Sequence, residues 1–149
     1  MNREIIMINT SERYIVDSLV TQFWKRGYLT LSRRFGTYLP EPERVGEFNV
    51  DVVARQRNKY AIGITLTEEE LNSTELTDKI YFLATRHTKF SNKPVTLFAA
   101  VPDKYYKQAK NLLGGINKEI RRNIKLIQIF DESISKTEIS KPKSKVLFS

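Results

Sequence analysis

The stretch FNVDVVARQRNKYAIGITLT, residues 48–67, decides the fold. It divides into two β-prone runs, Phe48–Ala54 and Tyr60–Thr67, around the polar segment Arg55-Gln56-Arg57-Asn58-Lys59, and so predicts an antiparallel hairpin with a basic tip. Strand alternation sorts the second run into two faces: Tyr60, Ile62, Ile64 and Leu66 on one, Ala61, Gly63, Thr65 and Thr67 on the other. The bulky face suits a core. The other face is small and uncharged, and Asp51 is the lone charge of the first strand.

Working outward, Ile15, Leu19 and Phe23, with Val16, Val20 and Trp24, recur at four-residue spacing until Gly27 and predict a helix over residues 11–26 with a broad buried face. Asn9 and Glu12 have capping-box spacing ahead of it. Tyr28–Phe35 reads as a strand and Gly36–Gly46, with Pro40 and Pro42, as a loop. Beyond the hairpin, Asn72 and Glu75 again have capping-box spacing, and Leu76, Ile80, Leu83 and Ala84 mark a helix ending near His87. The apolar run Val95–Val101 predicts a strand buried on both faces. A further helix starts at Pro102 and Asp103, with Tyr105, Ala109, Leu112 and Leu113 facing inward and Gly114 as a left-handed stop. Ile116–Arg122 predicts a short helix and Ile124–Phe130 the last strand. The result is an α/β sandwich, a mixed sheet flanked by helices, antiparallel in its first strands and parallel in its later ones. Residues 1–140 form one domain, and residues 141–149 form a tail ending in the apolar Val146-Leu147-Phe148.

Composition narrows the chemistry. A chain of 149 residues, 40% hydrophobic, is apolar enough to bury a single core. No apolar run approaches the ~20 residues needed to cross a bilayer, and Arg3 and Glu4 interrupt the N-terminus, so a cytoplasmic protein without membrane contact is expected. The absence of cysteine excludes disulfides, zinc-thiolate sites and thiol nucleophiles, and a single histidine, His87, leaves little room for a His-rich metal site. A net charge of +8 favours polyanions, of which nucleic acid is the commonest.

The succession of helix, strand, loop, Asp-bearing strand, turn, strand and helix over residues 9–101 resembles the PD-(D/E)xK nucleases of the restriction-endonuclease-like fold, in particular archaeal Holliday-junction resolvases. In that family a helix glutamate, a strand aspartate and a Glu-x-Lys on the next strand hold magnesium and orient the attacking water, chemistry in which the cation activates water and offsets charge on the phosphate. The resemblance places Glu12 and Asp51 at the two acidic positions, within SERY and VDVVA, as remnants of a catalytic set. Gly63 and Thr65 fall where the family carries its Glu and Lys. With so few oxygen ligands left, no metal or other cofactor is expected, and magnesium only if activity persists.

The expected function is therefore binding of nucleic acid, DNA above all, by a nuclease-like protein without catalysis. Arg33, Arg34 and Arg44 approach the cleft from one side, and Arg55, Arg57 and Lys59 crown the hairpin; phosphate contacts from such residues position a backbone without reading sequence. The resemblance also implies a homodimer. Two alternatives remain open: a magnesium-dependent endonuclease or resolvase whose missing groups have migrated to Glu68, Glu69 or Glu70 and Lys79, and a protein-interaction module that touches no nucleic acid.

Overall fold

The computed structural model describes residues 2–130, with side chains from Glu12 onward; the expected tail over residues 141–149 lies outside the described residues. A long helix, α1 (Asn2–Lys25), is followed by β1 (Leu29–Arg33), β2 (Val52–Gln56), β3 (Lys59–Thr65), α2 (Glu68–Leu71) and α3 (Leu76–Ala84). Then come β4 (Thr96–Pro102), a single 3-10 turn (Asp103–Tyr105), α4 (Tyr106–Gly114), α5 (Lys118–Arg121) and β5 (Ile124–Ile129). The five strands form one sheet in the order β1-β2-β3-β4-β5. β1, β2 and β3 pair antiparallel, whereas β3, β4 and β5 pair parallel, as the hairpin and the helical crossovers predict.

Each face of the sheet has its own apolar layer. On one side α1 lays Ile15, Val16, Leu19 and Phe23 over Val52, Ala54, Ala61, Phe98, Ala100, Ile127 and Ile129. On the other, α3 and α4 bury Leu76, Ile80, Leu83, Ala109 and Leu113 against Ile62, Ile64, Leu97, Ala99 and Val101. Fully burying each such Leu or Phe contributes about 1.5–3 kcal/mol, so the two layers dominate the stability of the fold. β4 is buried on both faces because helices cover it from both sides.

Several details depart from the sequence pattern for identifiable reasons. α1 begins at Asn2, so Asn9 and Glu12 lie inside a continuous helix and form no capping box; no Gly or Pro interrupts the chain before Gly27. Its buried stripe is narrower than expected, since Trp24 is 70% exposed. The helix ends as a Schellman motif: Gly27 adopts φ +86°, its N–H donates to Trp24 O at 3.0 Å, and Tyr28 N–H donates to Phe23 O at 2.9 Å. Phe48 belongs to a turn, not to β2. It exchanges backbone hydrogen bonds with Val45 around Gly46, which adopts φ +63°.

Past β3, Thr67 caps the short α2 by accepting the Glu70 N–H at 3.2 Å, and Asn72 becomes the C-cap of that helix, so the Asn72–Glu75 capping box does not form. The run Glu68-Glu69-Glu70 occupies the first turn, where the positive end of the helix favours it. Gly114 stays within α4. That helix closes through 3-10-type bonds, Gly115 N–H to Leu112 O at 3.2 Å and Ile116 N–H to Leu113 O at 3.0 Å, with Gly115 at φ −87°, so no left-handed residue is needed. Before β5, the Asn123 side-chain amide donates to Ala84 O at 2.9 Å and to Val95 O at 2.6 Å, tying the end of α3 to the approach to β4. Among the described residues no helix is long and apolar enough to cross a membrane.

Candidate functional site

Asp51 immediately precedes β2 and continues its pairing with β3, its N–H donating to Gly63 O at 2.8 Å. On the other side, Arg34 N–H donates to Asp51 O at 2.9 Å, which carries the β1 pairing one step further. These backbone bonds place Asp51 between the end of β1 and the end of β3. A cleft of about 440 Å³ opens there, bounded by α1, the 41–42 loop and the α2–α3 segment.

Both oxygens of the nearly buried Asp51 carboxylate are engaged. Oδ1 accepts from Arg34 Nη1 at 3.0 Å, while Oδ2 accepts from the Thr65 N–H at 2.8 Å and from Thr65 Oγ1 at 3.1 Å. The second arm of the Arg34 fork, Nη2, donates to Glu12 Oε1 at 3.2 Å. One guanidinium thus bridges the helix acid and the strand acid. Burial works to lower the Arg34 pKa, but its hydrogen bonds and charge attraction to Asp51 and Glu12 outweigh that, and the guanidinium is held above its ordinary value.

The next residue helps to aim the bridge. Phe35 adopts φ +60°, a conformation that costs a bulky residue roughly 1–3 kcal/mol. Its N–H donates to Glu41 Oε2 at 3.2 Å, and its ring carries the Arg34 guanidinium at 4.6 Å from the centroid. The chain turns sharply here while Arg34 remains over the cleft.

The two acidic positions expected from sequence, Glu12 and Asp51, therefore meet in one cleft. The strand position that faces Asp51 is Thr65, whereas Gly63 lies under α1. A Cβ built on Gly63 would sit 2.7 Å from Leu19 Cδ2 and 2.9 Å from Phe23 Cε2, so any side chain there would force those two buried residues to shift. Glu69, Glu70 and Lys79 also line the cleft, but Lys79 Nζ pairs with Glu70 Oε2 at 3.6 Å. Among the described residues no three carboxylate or histidine side chains come close enough to share a metal ion. The donor set does not fit magnesium: the Asp51 oxygens are taken by Arg34 and Thr65, and an oxygen-seeking dication would have to displace a fixed guanidinium. Glu12, Glu41, Asp51, Glu69 and Glu70 against Arg34 and Lys79 give the cleft a formal balance of −3.

The arginines expected to approach a polyanion are dispersed. Arg33 pairs with Asp17 on α1 and donates from Nε to Arg34 O at 3.1 Å, outside the cleft. Arg44 is exposed, donates to Glu47 O at 3.0 Å and borders a smaller hollow next to the cleft. Arg55, Arg57 and Lys59 are exposed at the hairpin tip, at the end of β3 opposite Thr65, with Arg57 at φ +58°. Sequence reading missed the bridging role of Arg34 and the contact of Thr65 with Asp51. The bridge joins residues 17 and 22 positions apart, and no local pattern marks it.

A second hollow, about 500 Å³ and mostly apolar, lies between the hairpin and the turn that carries His87 and the fully exposed Phe90. His87 Nδ1 lies 3.1 Å from Thr85 O. No match to this chain is found among protein-family models, curated proteins or solved structures.

Proposed function

We propose that the chain is a nucleic-acid-binding protein, acting on DNA, whose restriction-endonuclease-like architecture carries a catalytically silent site. The observation behind this reading is the Arg34 bridge. A guanidinium spans Glu12 and Asp51, at 3.2 and 3.0 Å, where a hydrolytic enzyme of this layout would need a hydrated dication. A guanidinium offsets one of the two negative charges but offers no exchangeable ligand position and cannot generate a hydroxide. The sequence of α1, an antiparallel Asp-bearing hairpin, a helix and a parallel β4 is in keeping with the nuclease-like layout. The net charge of +8 is the second support, because it draws the protein to phosphate backbones whatever their sequence. A homodimer belongs to the same analogy.

A second reading, a magnesium-dependent endonuclease, draws on Glu70 and Lys79 lining the same cleft as Asp51. Incubation with linear and branched duplexes in magnesium or manganese separates the two. The silent-site reading expects retention of DNA that fades steeply with salt, and no new cleavage products. Metal-dependent cleavage that disappears in Asp51→Ala would overturn it in favour of the enzyme.

A further inference from the structure

We propose that the polyanion contact is made on the face built by the 3-10 turn, α4 and α5, and that its ligand is duplex nucleic acid. This rests on the nucleic-acid reading above and assigns it a surface. The cleft is a poor seat for phosphate: its formal balance is −3, and its inner cation, Arg34, is committed to two carboxylates. A phosphodiester entering there would meet Glu69 and Glu70 before any free cation.

The opposite holds along residues 103–122. α4 buries Ala109 and Leu113 toward the sheet, which leaves Lys107 and Lys110 exposed, in line with Lys104 at three-residue spacing. α5 adds Lys118 and Arg122, both exposed, and Arg121 fastens the two helices by donating from Nη1 to Gly114 O at 3.1 Å. The acids of this segment are Asp103, which accepts a hydrogen bond from Gln128 Nε2, and Glu119. Among the described residues none of these cations is in an ion pair. The face packs into the apolar layer on the side of the sheet away from α1.

Its chemistry distinguishes the partner. Protein interfaces are anchored by buried aromatic and aliphatic residues and are depleted in lysine. Here the exposed large apolar residues, Trp24, Leu29, Tyr38, Leu39, Phe90 and Phe130, all lie outside residues 103–122. An acidic protein would find charge there but no anchor. Single strands are held by stacking bases on exposed rings, yet Tyr105 and Tyr106 pack against the core. A duplex asks only for a row of cations along its backbone.

Fluorescence anisotropy with a short labelled DNA duplex across a salt series tests the assignment. Compared with the full chain, the triple variant Lys107→Gln, Lys110→Gln, Lys118→Gln is expected to lower the slope of log K against log salt by about 3, roughly one per lost contact. The pair Arg55→Gln, Arg57→Gln should leave that slope unchanged. All five residues are exposed, so far-ultraviolet circular dichroism should match the unmodified chain. Duplex binding that survives the triple variant, or that drops in the hairpin pair instead, overturns the surface and leaves the nucleic-acid reading standing. Tighter binding to single strands overturns the choice of duplex. Binding to an acidic polypeptide with none to any nucleic acid overturns both readings.

Discussion

Removing the Arg34 guanidinium should isolate the charge of Asp51, and the structure allows the cost to be worked out. Asp51 Oδ1 has the guanidinium at 3.0 Å, while Oδ2 keeps its two Thr65 donors, and the side chain is only 10% exposed. Arg34→Met retains an unbranched apolar stem but strips Oδ1 and Glu12 of their counter-charge. A hydrogen bond to a charged group contributes about 1.5–3 kcal/mol. The Arg34 side chain is 37% exposed, so solvent screening pulls the figure down, to about 1–2 kcal/mol, or a fall in Tm of about 2–8 °C for a chain of this size. The decisive measurement is a double-mutant cycle with Asp51→Asn, read by urea unfolding. Once Asp51 carries no charge, Arg34→Met should cost little, giving a coupling of about 1 kcal/mol or more. The pH dependence has a definite sign. Because the folded-state pKa of Arg34 is raised, its contribution is complete below the unfolded value and is lost only as pH climbs through the folded value, beyond the ordinary arginine range. The titration of Arg34 should therefore add no slope between weakly acidic and weakly alkaline conditions. Additive single-variant effects, within about 0.3–0.5 kcal/mol, would show that the bridge carries no energy and would remove the ground for a silent site.

Two other expectations concern packing. Gly63→Glu, which restores the residue type the resemblance calls for, should bring no metal-dependent cleavage. It should instead unfold the domain in a thermal melt, because its side chain would have to enter between the fully buried Leu19 and Phe23, at a cost above the about 1–3 kcal/mol of ordinary overpacking. Asn123→Ala leaves the Ala84 and Val95 carbonyls without their donor and should cost about 1–3 kcal/mol in urea unfolding; a neutral result would mean that water replaces the amide freely.

Much of the architecture was legible because it is written in short-range patterns. The alternation in residues 60–67 sorts the two faces of β3 correctly, and the apolar run 95–101 appears as a strand buried from both sides. Helix ends were less legible, because a side chain with capping chemistry caps only if the chain bends there. Thr67 won over Asn72, and nothing stopped α1 at Asn9. Glu12 and Asp51 were singled out from sequence and share one cleft, but the bridge between them was not foreseen. Arg34 read as a cation approaching the cleft to meet phosphate, since its pairing depends on the left-handed turn at Phe35 and on two acids remote in sequence. The smallness of Gly63 was legible, but its surroundings were not: a Cβ there would meet Leu19 and Phe23 of α1, and the residue that meets Asp51 lies two places further on.

The sheet runs β1-β2-β3-β4-β5, in the same sequence in which the chain is made. Each newly synthesised strand can dock beside the one before it, so no pairing has to wait for a later strand and the sheet can assemble vectorially. The exception is the first helix, whose floor includes Phe98, Ile127 and Ile129, contributed by β4 and β5. Until those arrive, Leu19 and Phe23 have only part of their seat, and a nascent chain halted before β4 would display the stickiest side of its longest helix to whatever chaperone or neighbour is at hand.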